Sequence, residues 1–306
     1  MSLPIVYHPD YMAPLKPGHR FPMSKYGYLR EVLIRKRLLP PAGGYVAPVE
    51  AGFSHVARVH APGYVDRVFT QTLAPEESRK IGLPDTQAVT RRARLSASGT
   101  LLAGRLALEH GIACNAAGGS HHAGPDGGSG YCVFNDVAVA ARALLDEGVV
   151  RRVLIVDLDV HQGDGTANIF ADEPAVFTLS VHAERNFPTR KAVSDLDIGL
   201  PDGVADLDYL GVIGAVLAAR LAEHRPELVF YNAGVDVHRD DRLGRLALRN
   251  AGIRARDAAV IAACQARDTP VACVLGGGYD HDIDALAERH AFLFEAAAAA
   301  LLRWVA

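Results

Sequence analysis

Three side chains that can bind a metal ion stand at alternate positions near the middle of the chain: Asp157, Asp159 and His161. They follow the apolar run at 153–156, which indicates a buried strand. Because side chains alternate along a strand, the three point in the same direction. They also come at its carboxyl end, where open α/β sheets place their ligands. This spacing indicates a metal site, although an isolated Asp-x-His triplet also occurs by chance in surface loops.

A third candidate ligand, Asp236, follows another apolar run at 228–232. With Asp159 and His161 it completes a set of three protein ligands, and catalytic zinc sites use three and leave the fourth position for water. Two carboxylates offset the charge of a divalent ion, so the metal is a weaker Lewis acid and other groups must assist. Taken alone, Asp236 is equally well explained as a helix N-cap or a turn residue.

Two adjacent histidines, His121 and His122, follow the apolar run at 112–116. Imidazole is the side chain best suited to take a proton from water and return it to a leaving amine. Asp157 and Asp164 can each orient one of the two rings by accepting its second ring proton. Without such partners, a histidine pair in a loop is usually a solvated bystander.

Tyr279 comes directly after three glycines at 276–278. Glycines permit positive φ and close backbone approach, which the wall of a pocket needs. The tyrosine hydroxyl can donate to a developing oxyanion, a role worth roughly 3–4 kcal/mol for one such donor. The alternative interpretation is a packing residue at the end of a strand.

Apolar runs alternate with segments of helical spacing along the whole chain, which predicts a single α/β domain over residues 1–306. Its central, mostly parallel sheet has helices on both faces. The expected strands are at 5–8, 112–116, 153–159, 176–182, 228–232 and 271–275. The expected helices are at 24–38, 96–110, 135–148, 206–224, 254–268 and 284–304, with Ser96 as one of the starting residues.

The composition is that of an ordinary globular protein. Of its 306 residues, 49% are hydrophobic and 22% charged, and the formal net charge of -3 gives no reason to expect nucleic acid or an anionic membrane as a partner. The four cysteines form no CxxC pair, which favours reduced thiols. No signal-peptide pattern and no apolar run of 18 residues is present, so we expect a soluble cytoplasmic protein.

In combination, these motifs resemble the zinc-dependent histone deacetylase family of the arginase/deacetylase superfamily. The motifs that carry the resemblance are His121-His122, Gly130-Tyr131-Cys132, Asn135-Asp136, Asp157-Leu-Asp159-Val-His161-Gln-Gly-Asp164-Gly, Asp236 and Gly277-Gly278-Tyr279. The segments 18–23 and 241–244, with Lys25-Tyr26, are most similar to class IV-like bacterial members. That branch includes enzymes that remove long fatty acyl groups, which implies a preference that rises with acyl length.

The resemblance implies one Zn²⁺ per chain, held by Asp159, His161 and Asp236. It implies that Tyr279 polarises the scissile carbonyl. His122, paired with Asp164, would be the general base and acid, and His121, paired with Asp157, would act mainly through its charge.

The resemblance also implies a substrate tunnel lined by Tyr131, Phe187 and Leu243, next to Gly130. A structural potassium ion would lie near Asp157 and Ser180. Where class I and II relatives carry an acidic residue at the tunnel rim, residues 81–85 here end in Asp85, which we expect to be out of register. Gln162 replaces a second histidine of many relatives and lies outside the proposed chemistry.

These observations predict an amidohydrolase that removes an acyl group from the ε-amine of lysine in proteins or peptides. A rival substrate is an acetylpolyamine or another small acylated amine, but residues 64–96 are too short for the insertion typical of those relatives. The sequence is also compatible with an inactive acyl-lysine binding module and with an arginase-like manganese hydrolase. Iron(II) would also accept this oxygen-rich ligand set. The oligomeric state stays open.

Overall fold

One parallel sheet forms the centre of the protein. The structure is a computed structural model that describes residues 2–40 and 44–304, and within them seven strands pair in a single sheet, all in parallel. The strands are β1 (Ile5–Val6), β2 (Ile112–Asn115), β3 (Val153–Asp157), β4 (Val176–Ala183), β5 (Leu196–Leu200), β6 (Leu228–Asn232) and β7 (Val271–Val274). Their spatial order is β1-β2-β7-β6-β3-β4-β5.

Helices cover both faces of this sheet, as the sequence predicts. They are α1 (Lys25–Arg35), α2 (Phe53–Val56), α3 (Pro62–Thr70), α4 (Pro75–Ile81), α5 (Gln87–His110), α6 (Asp136–Asp146), α7 (Asp164–Ile169), α8 (Asp206–His224), α9 (Asn250–Gln265) and α10 (Ile283–Trp304). Alternate residues of β3 enter two hydrophobic clusters: Val153 and Ile155 pack with the second half of α5 and with α6. Leu154 and Val156 belong to the cluster that contains α1, α8, α9 and α10. A strand buried on both faces reads as a continuous apolar run.

The expected start of a helix at Ser96 is wrong. Helix α5 begins at Gln87, because the Thr86 side chain accepts a hydrogen bond from the amide of Val89 and caps it. Ser96 is a buried residue inside the helix. The short helices α2, α3, α4 and α7 were not expected, since one or two turns carry too little periodicity to be read from the sequence.

Strand β3 ends at Asp157, two residues earlier than the expected boundary. Beyond it, side chains take the place of a neighbouring strand: the amide of Asp159 donates to Asp157 Oδ1 at 3.2 Å, and that of His161 donates to Asp159 Oδ1 at 3.0 Å. Edge strand β5 was missed because its residues, LeuAspIleGlyLeu, are mostly half-exposed and contain an acid and a glycine.

The loops that follow β2, β3, β6 and β7 leave the sheet at the same edge and carry the candidate site residues. Strand β3 lies between β4 and β6. The strands that follow it in sequence, β4 and β5, lie on one side, and β6 and β7 lie on the other, so the strand order reverses at β3. Crevices at such switch points are where open α/β sheets bind ligands. Across the described residues, no helix is long and apolar enough to cross a membrane.

Candidate active site

Asp159, His161 and Asp236 meet in a buried group just beyond β3 and β6. Their ligand atoms all lie within 4.8 Å of one another. His161 Nδ1 is 3.1 Å from Asp159 Oδ1 and 3.2 Å from Asp236 Oδ2. Asp159 is 1% exposed and Asp236 is fully buried, so water does not compensate the charge of these carboxylates. Two carboxylates and one imidazole in this arrangement fit a divalent cation, which would balance their charge.

Backbone amides orient the two carboxylates. Gly277 N donates to Asp159 Oδ2 at 2.6 Å, and Val160 N donates to Asp236 Oδ1 at 2.9 Å. Burial and the neighbouring Asp159 carboxylate raise the pKa of Asp236 to about 6. Burial would lower the pKa of His161, but Asp159 and Asp236 outweigh it and raise that pKa to about 10. The group therefore attracts positive charge, whether a proton or a metal ion.

The two histidines each receive one carboxylate. His121 Nδ1 lies 2.6 Å from Asp157 Oδ2, and His122 Nδ1 lies 2.6 Å from Asp164 Oδ1. Their rings are 4.1 Å apart between centroids, and the ring of His122 is 5.7 Å from that of His161. Because Nδ1 of each ring contacts a carboxylate, Nε2 is the ring nitrogen that can exchange a proton or bind a ligand.

The environments of the two rings drive their charges apart. Burial lowers the pKa of His121, but Asp157 and Asp159 outweigh burial and raise it to about 9. Burial, followed by the charge on His121, lowers the pKa of His122 to about 4. Without a bound metal ion, these shifts favour a cationic His121 and a neutral His122 at neutral pH. A pair of titratable groups with separated pKa values indicates a division of roles.

Tyr279 stands beside this group, with its ring centroid 6.4 Å from that of His161. Burial, followed by the charges of Asp236 and Asp159, raises its pKa well above the usual value, so its hydroxyl remains a donor. Asp241 Oδ2 accepts the amide hydrogen of Tyr279 at 2.7 Å. Close to the ring, buried Lys25 donates to the carbonyl of Gly276 at 3.2 Å.

The four residues expected in the tunnel line one cavity of about 670 Å³ that opens to solvent, and His122, His161, Asp164 and Tyr279 line its floor. Phe187 packs edge-on against His122, with centroids 4.8 Å apart and planes at 82°. The Tyr131 backbone has φ 66° and that of Gly130 has φ 52°. A side chain at Gly130 would place its Cβ 2.6 Å from the His122 ring.

A smaller cavity adjoins the first and shares His122, His161 and Tyr279 with it. It has a volume of about 30 Å³ and is lined by Phe21, Tyr26, Arg92, Tyr131 and Tyr279, among others. By the same measure a single water molecule needs about 10–15 Å³. This space suits a short acyl group, while the expected preference for longer acyl chains stays a prediction.

Asp85, Ser180 and Gln162 each bind a partner outside the Asp-His-Asp group. Asp85 Oδ2 accepts the amide hydrogen of Leu73 at 3.0 Å, so this acid stabilises a loop and does not line the tunnel mouth. Ser180 pairs with Asp157 between β3 and β4, but its hydroxyl lies 2.9 Å from His182 Nδ1, and the potassium site stays a prediction. Gln162 lies outside the site, as expected, because its side chain binds Ala192 and Asp197.

Sequence reasoning assigned no role to several residues that organise the site. Lys25 and Asp241 stood inside motifs that carried the resemblance, yet nothing in their spacing indicated a contact with the loop of Tyr279. Asn232 donates to Asp157 Oδ1 at 2.9 Å, and Asp136 accepts from the amides of Gly119 and Ser120 just before the histidines. Their signal was weak because each contact joins segments far apart in the chain.

Glycines let three of these loops interlock. Gly119 has φ 82°, and a Cβ there would lie 2.5 Å from the Cα of Gly276. A Cβ at Gly276 would lie 2.4 Å from Asn232 Oδ1, and one at Gly277 would lie 2.0 Å from Asp236 Oδ2. Real Cβ atoms do not approach so closely, so the loops after β2, β6 and β7 leave no space for side chains between them.

The chain is similar to known proteins over most of its length. A sequence model described as the histone deacetylase domain matches residues 19–295. An uncharacterized protein of Picosynechococcus sp. is 48% identical, with 97% of this chain and 99% of that protein aligned. Histone deacetylase 2 of Arabidopsis thaliana is 30% identical over 85% of this chain and 70% of its own length. The crystal structure of the HDA15 HD domain matches 100% of this chain and 94% of its own at a TM-score of 0.83 and 22% identity, which shows a shared fold.

The buried acid group predicts how metal binding responds to mutation. The protein should hold about one divalent ion at this group, and Asp236→Ala should lose it because the remaining two ligands bind weakly. Metal content per folded chain, measured by mass spectrometry after dialysis, provides the test. Asp240→Ala, which removes an exposed carboxylate four residues away, serves as the control and should keep the metal. A folded Asp236→Ala protein with full metal content would reject this ligand set.

Proposed function

Because the chain belongs to the histone deacetylase family, we propose that it is a zinc-dependent amidohydrolase that removes a short acyl group from the ε-amine of lysine in a peptide or protein. The observation that carries this proposal is the convergence of an Asp-His-Asp group, a neutral histidine and a protonated tyrosine at the floor of one tunnel. A tunnel of this kind suits an extended side chain that ends in an amide.

Asp159, His161 and Asp236 would hold the zinc ion. Bound there, zinc would supply the Lewis acidity that activates water and polarises the acyl carbonyl. The described residues contain one group of this kind, which favours a mononuclear site over the two-metal site of an arginase-like hydrolase. Because the charge of two carboxylates weakens the Lewis acid, the protein's own proton donors and acceptors must contribute to the reaction.

His122 has the properties of the base. Its neutral Nε2 takes a proton from the attacking water, while Asp164 holds Nδ1 and stabilises the resulting imidazolium. The hydroxyl of Tyr279 donates to the oxyanion that develops on the carbonyl oxygen of the acyl group. His122 then gives its proton to the departing lysine nitrogen, so the amide and water become a carboxylate and an amine. His121 stays protonated and contributes positive charge throughout.

The two histidines should differ in mutational effect. His122→Ala should lower kcat by roughly 10²–10⁴, the usual contribution of a general acid–base group. His121→Ala, which removes only a charge, should cost less. Steady-state kinetics on an acetyl-lysine peptide compare the two, with metal content measured on each variant. A larger loss for His121→Ala would mean that the roles are assigned wrongly.

The low pKa of His122 predicts the acid limb of the pH profile. Since that pKa is about 4, the base stays neutral as pH falls below the usual histidine value, and kcat/KM should decline only as pH approaches about 4. Activity and metal content are measured at each pH and again after return to neutral pH, which separates protonation of His122 from loss of the metal and from irreversible loss. A decline centred near the unperturbed histidine pKa of about 6.5 would contradict the proposed environment.

The tyrosine should serve the transition state more than the bound substrate. Tyr279→Phe should therefore lower kcat by roughly 10²–10³ and leave KM and metal content nearly unchanged. Tyr28→Phe, an exposed tyrosine on α1, provides the control with the same chemical change. A loss of less than about threefold for Tyr279→Phe would remove its hydroxyl from the mechanism.

A substrate panel tests the proposed function directly. The panel contains an acetyl-lysine peptide, the same peptide with hexanoyl-lysine, and acetylspermidine. On the zinc-loaded protein, kcat/KM for the acetyl-lysine peptide should exceed each of the other two values by about tenfold, which corresponds to about 1.4 kcal/mol in the activation barrier. Phe21→Ala enlarges the smaller cavity, which Phe21 lines, and should raise kcat/KM for the hexanoyl-lysine peptide relative to the acetyl-lysine peptide. A higher kcat/KM for acetylspermidine would mean that the substrate is a small acylated amine and not a peptide. Absence of all hydrolysis would reject the enzyme function.

A further inference from the structure

Cations surround the mouth of the tunnel on two sides. Arg79 and Lys80, near the end of α4, line one side, and Arg190 lines the other. All three side chains are exposed. Arg79 pairs with Glu76 at 2.8 Å, whereas within the described part of the chain neither Lys80 nor Arg190 has a side-chain ion pair or hydrogen bond. Two uncompensated positive charges therefore face the solvent at the entrance.

The carboxylates near the entrance are engaged elsewhere or lie outside it. Asp164, the carboxylate among the residues that line the cavity, lies on its floor and is bound to His122. Glu77 lies in the adjacent groove and makes a two-point contact with Arg67, at 2.6 and 3.0 Å. Asp126 also lines that groove and not the mouth. The residues that line the cavity thus include the three cations Arg79, Lys80 and Arg190 against the one carboxylate of Asp164, although the chain as a whole is slightly acidic.

The backbone holds these cations in place. On one side, the amides of Gly130 and Tyr131 donate to the carbonyls of Lys80 and Ile81, at 3.2 and 2.7 Å, which attaches the end of α4 to the tunnel wall. Gly82 ends that helix with φ 75°. The end of α4, which carries Arg79 and Lys80, is thus fixed to the wall of the cavity.

On the other side, Gln162 performs the same role for the loop that carries Arg190. Its side chain donates to the carbonyl of Ala192 at 2.9 Å and accepts from the amide of Ala192 at 2.8 Å. It also donates to Asp197 Oδ1 at 2.7 Å, in edge strand β5. Lys191 donates to the carbonyls of Asn186 and Pro188 and so closes the loop on itself.

We propose that this mouth selects acyl-lysine flanked by acidic residues, an inference that rests on the proposed function. Fixed charge at the opening of a cleft concentrates ligands of opposite sign and raises their rate of association. An arginine also recognises a carboxylate through two parallel hydrogen bonds. Acidic side chains next to the acyl-lysine would reach Lys80 and Arg190 while the acyl group lies at the tunnel floor. A polycationic substrate would be repelled.

Three peptides of equal length test this inference. Each contains the same acetyl-lysine, flanked by two glutamates, two glutamines or two lysines, and kcat/KM is measured on the zinc-loaded protein at low and high salt. At low salt the glutamate peptide should be preferred over the glutamine peptide by on the order of tenfold, with the lysine peptide slowest. High salt should bring the three values together, because exposed charges are screened.

Charge-reversal variants identify the residues responsible. Lys80→Glu and Arg190→Glu should each reduce the glutamate-to-glutamine ratio, and the double variant should invert it. Arg267→Glu makes the same change of net charge beyond α9, at the opposite edge of the sheet, and should keep the wild-type ratio. Thermal unfolding of every variant establishes that it is folded. The ratio is informative even if absolute activity changes.

The outcomes separate this inference from the proposed function. Hydrolysis of all three peptides at equal kcat/KM would overturn the charge selection and leave the deacylase function intact. An unchanged ratio in the double variant would also overturn it, because the preference would then arise elsewhere. If the wild type hydrolyses none of the three peptides, the proposed function fails and this inference fails with it.

Discussion

Buried negative charge is the constraint on which the rest of the structure depends. Asp157, Asp159 and Asp236 lie within a few residues of the ends of β3 and β6, and each is at most 4% exposed. Like charges removed from water repel strongly and lose their hydration. Backbone amides and the imidazoles of His121 and His161 compensate this charge, and the proposed metal ion would compensate it further. Buried Arg256, paired with Asp257, lies behind the group and donates to the carbonyls of Leu158, Ala233 and Gly234.

This constraint accounts for the local backbone. An amide can approach a carboxylate at 2.6 Å, as Gly277 does with Asp159, only if no side chain intervenes. The strands must end early for the same reason, because amides that would continue a sheet are needed by carboxylates. The same compensation also separates the histidines: the carboxylates that hold His121 protonated leave His122 in a position where its own charge is unfavourable. Charge balance and catalytic readiness are thus two results of one arrangement.

The parts of the fold that could be predicted from the sequence are those with a local physical signal. Buried strands β3 and β6 appear as apolar runs, and the polar residues after them converge because parallel strands end at one edge. The contacts of Lys25 and Asp241 with the loop of Tyr279 could not be predicted, since they depend on how distant loops pack. The mouth was equally hidden: the unexpected helix α4 brings Lys80 to it, and the sequence alone cannot separate a charge at an entrance from one on an open surface.

The interlocked glycines divide the molecule into a part that tolerates change and a part that does not. At Gly119 and Gly276 a single added carbon would collide with backbone atoms of another loop, and at Gly277 it would collide with the carboxylates of Asp159 and Asp236, so no nearby substitution makes room without loss of a site residue. The loop with Arg190 and the end of α4 present side chains to open solvent and carry no such restriction. New substrate preferences in descendants of this chain, natural or designed, should therefore arise by exchange of residues at the entrance, while the chemistry below is inherited unchanged.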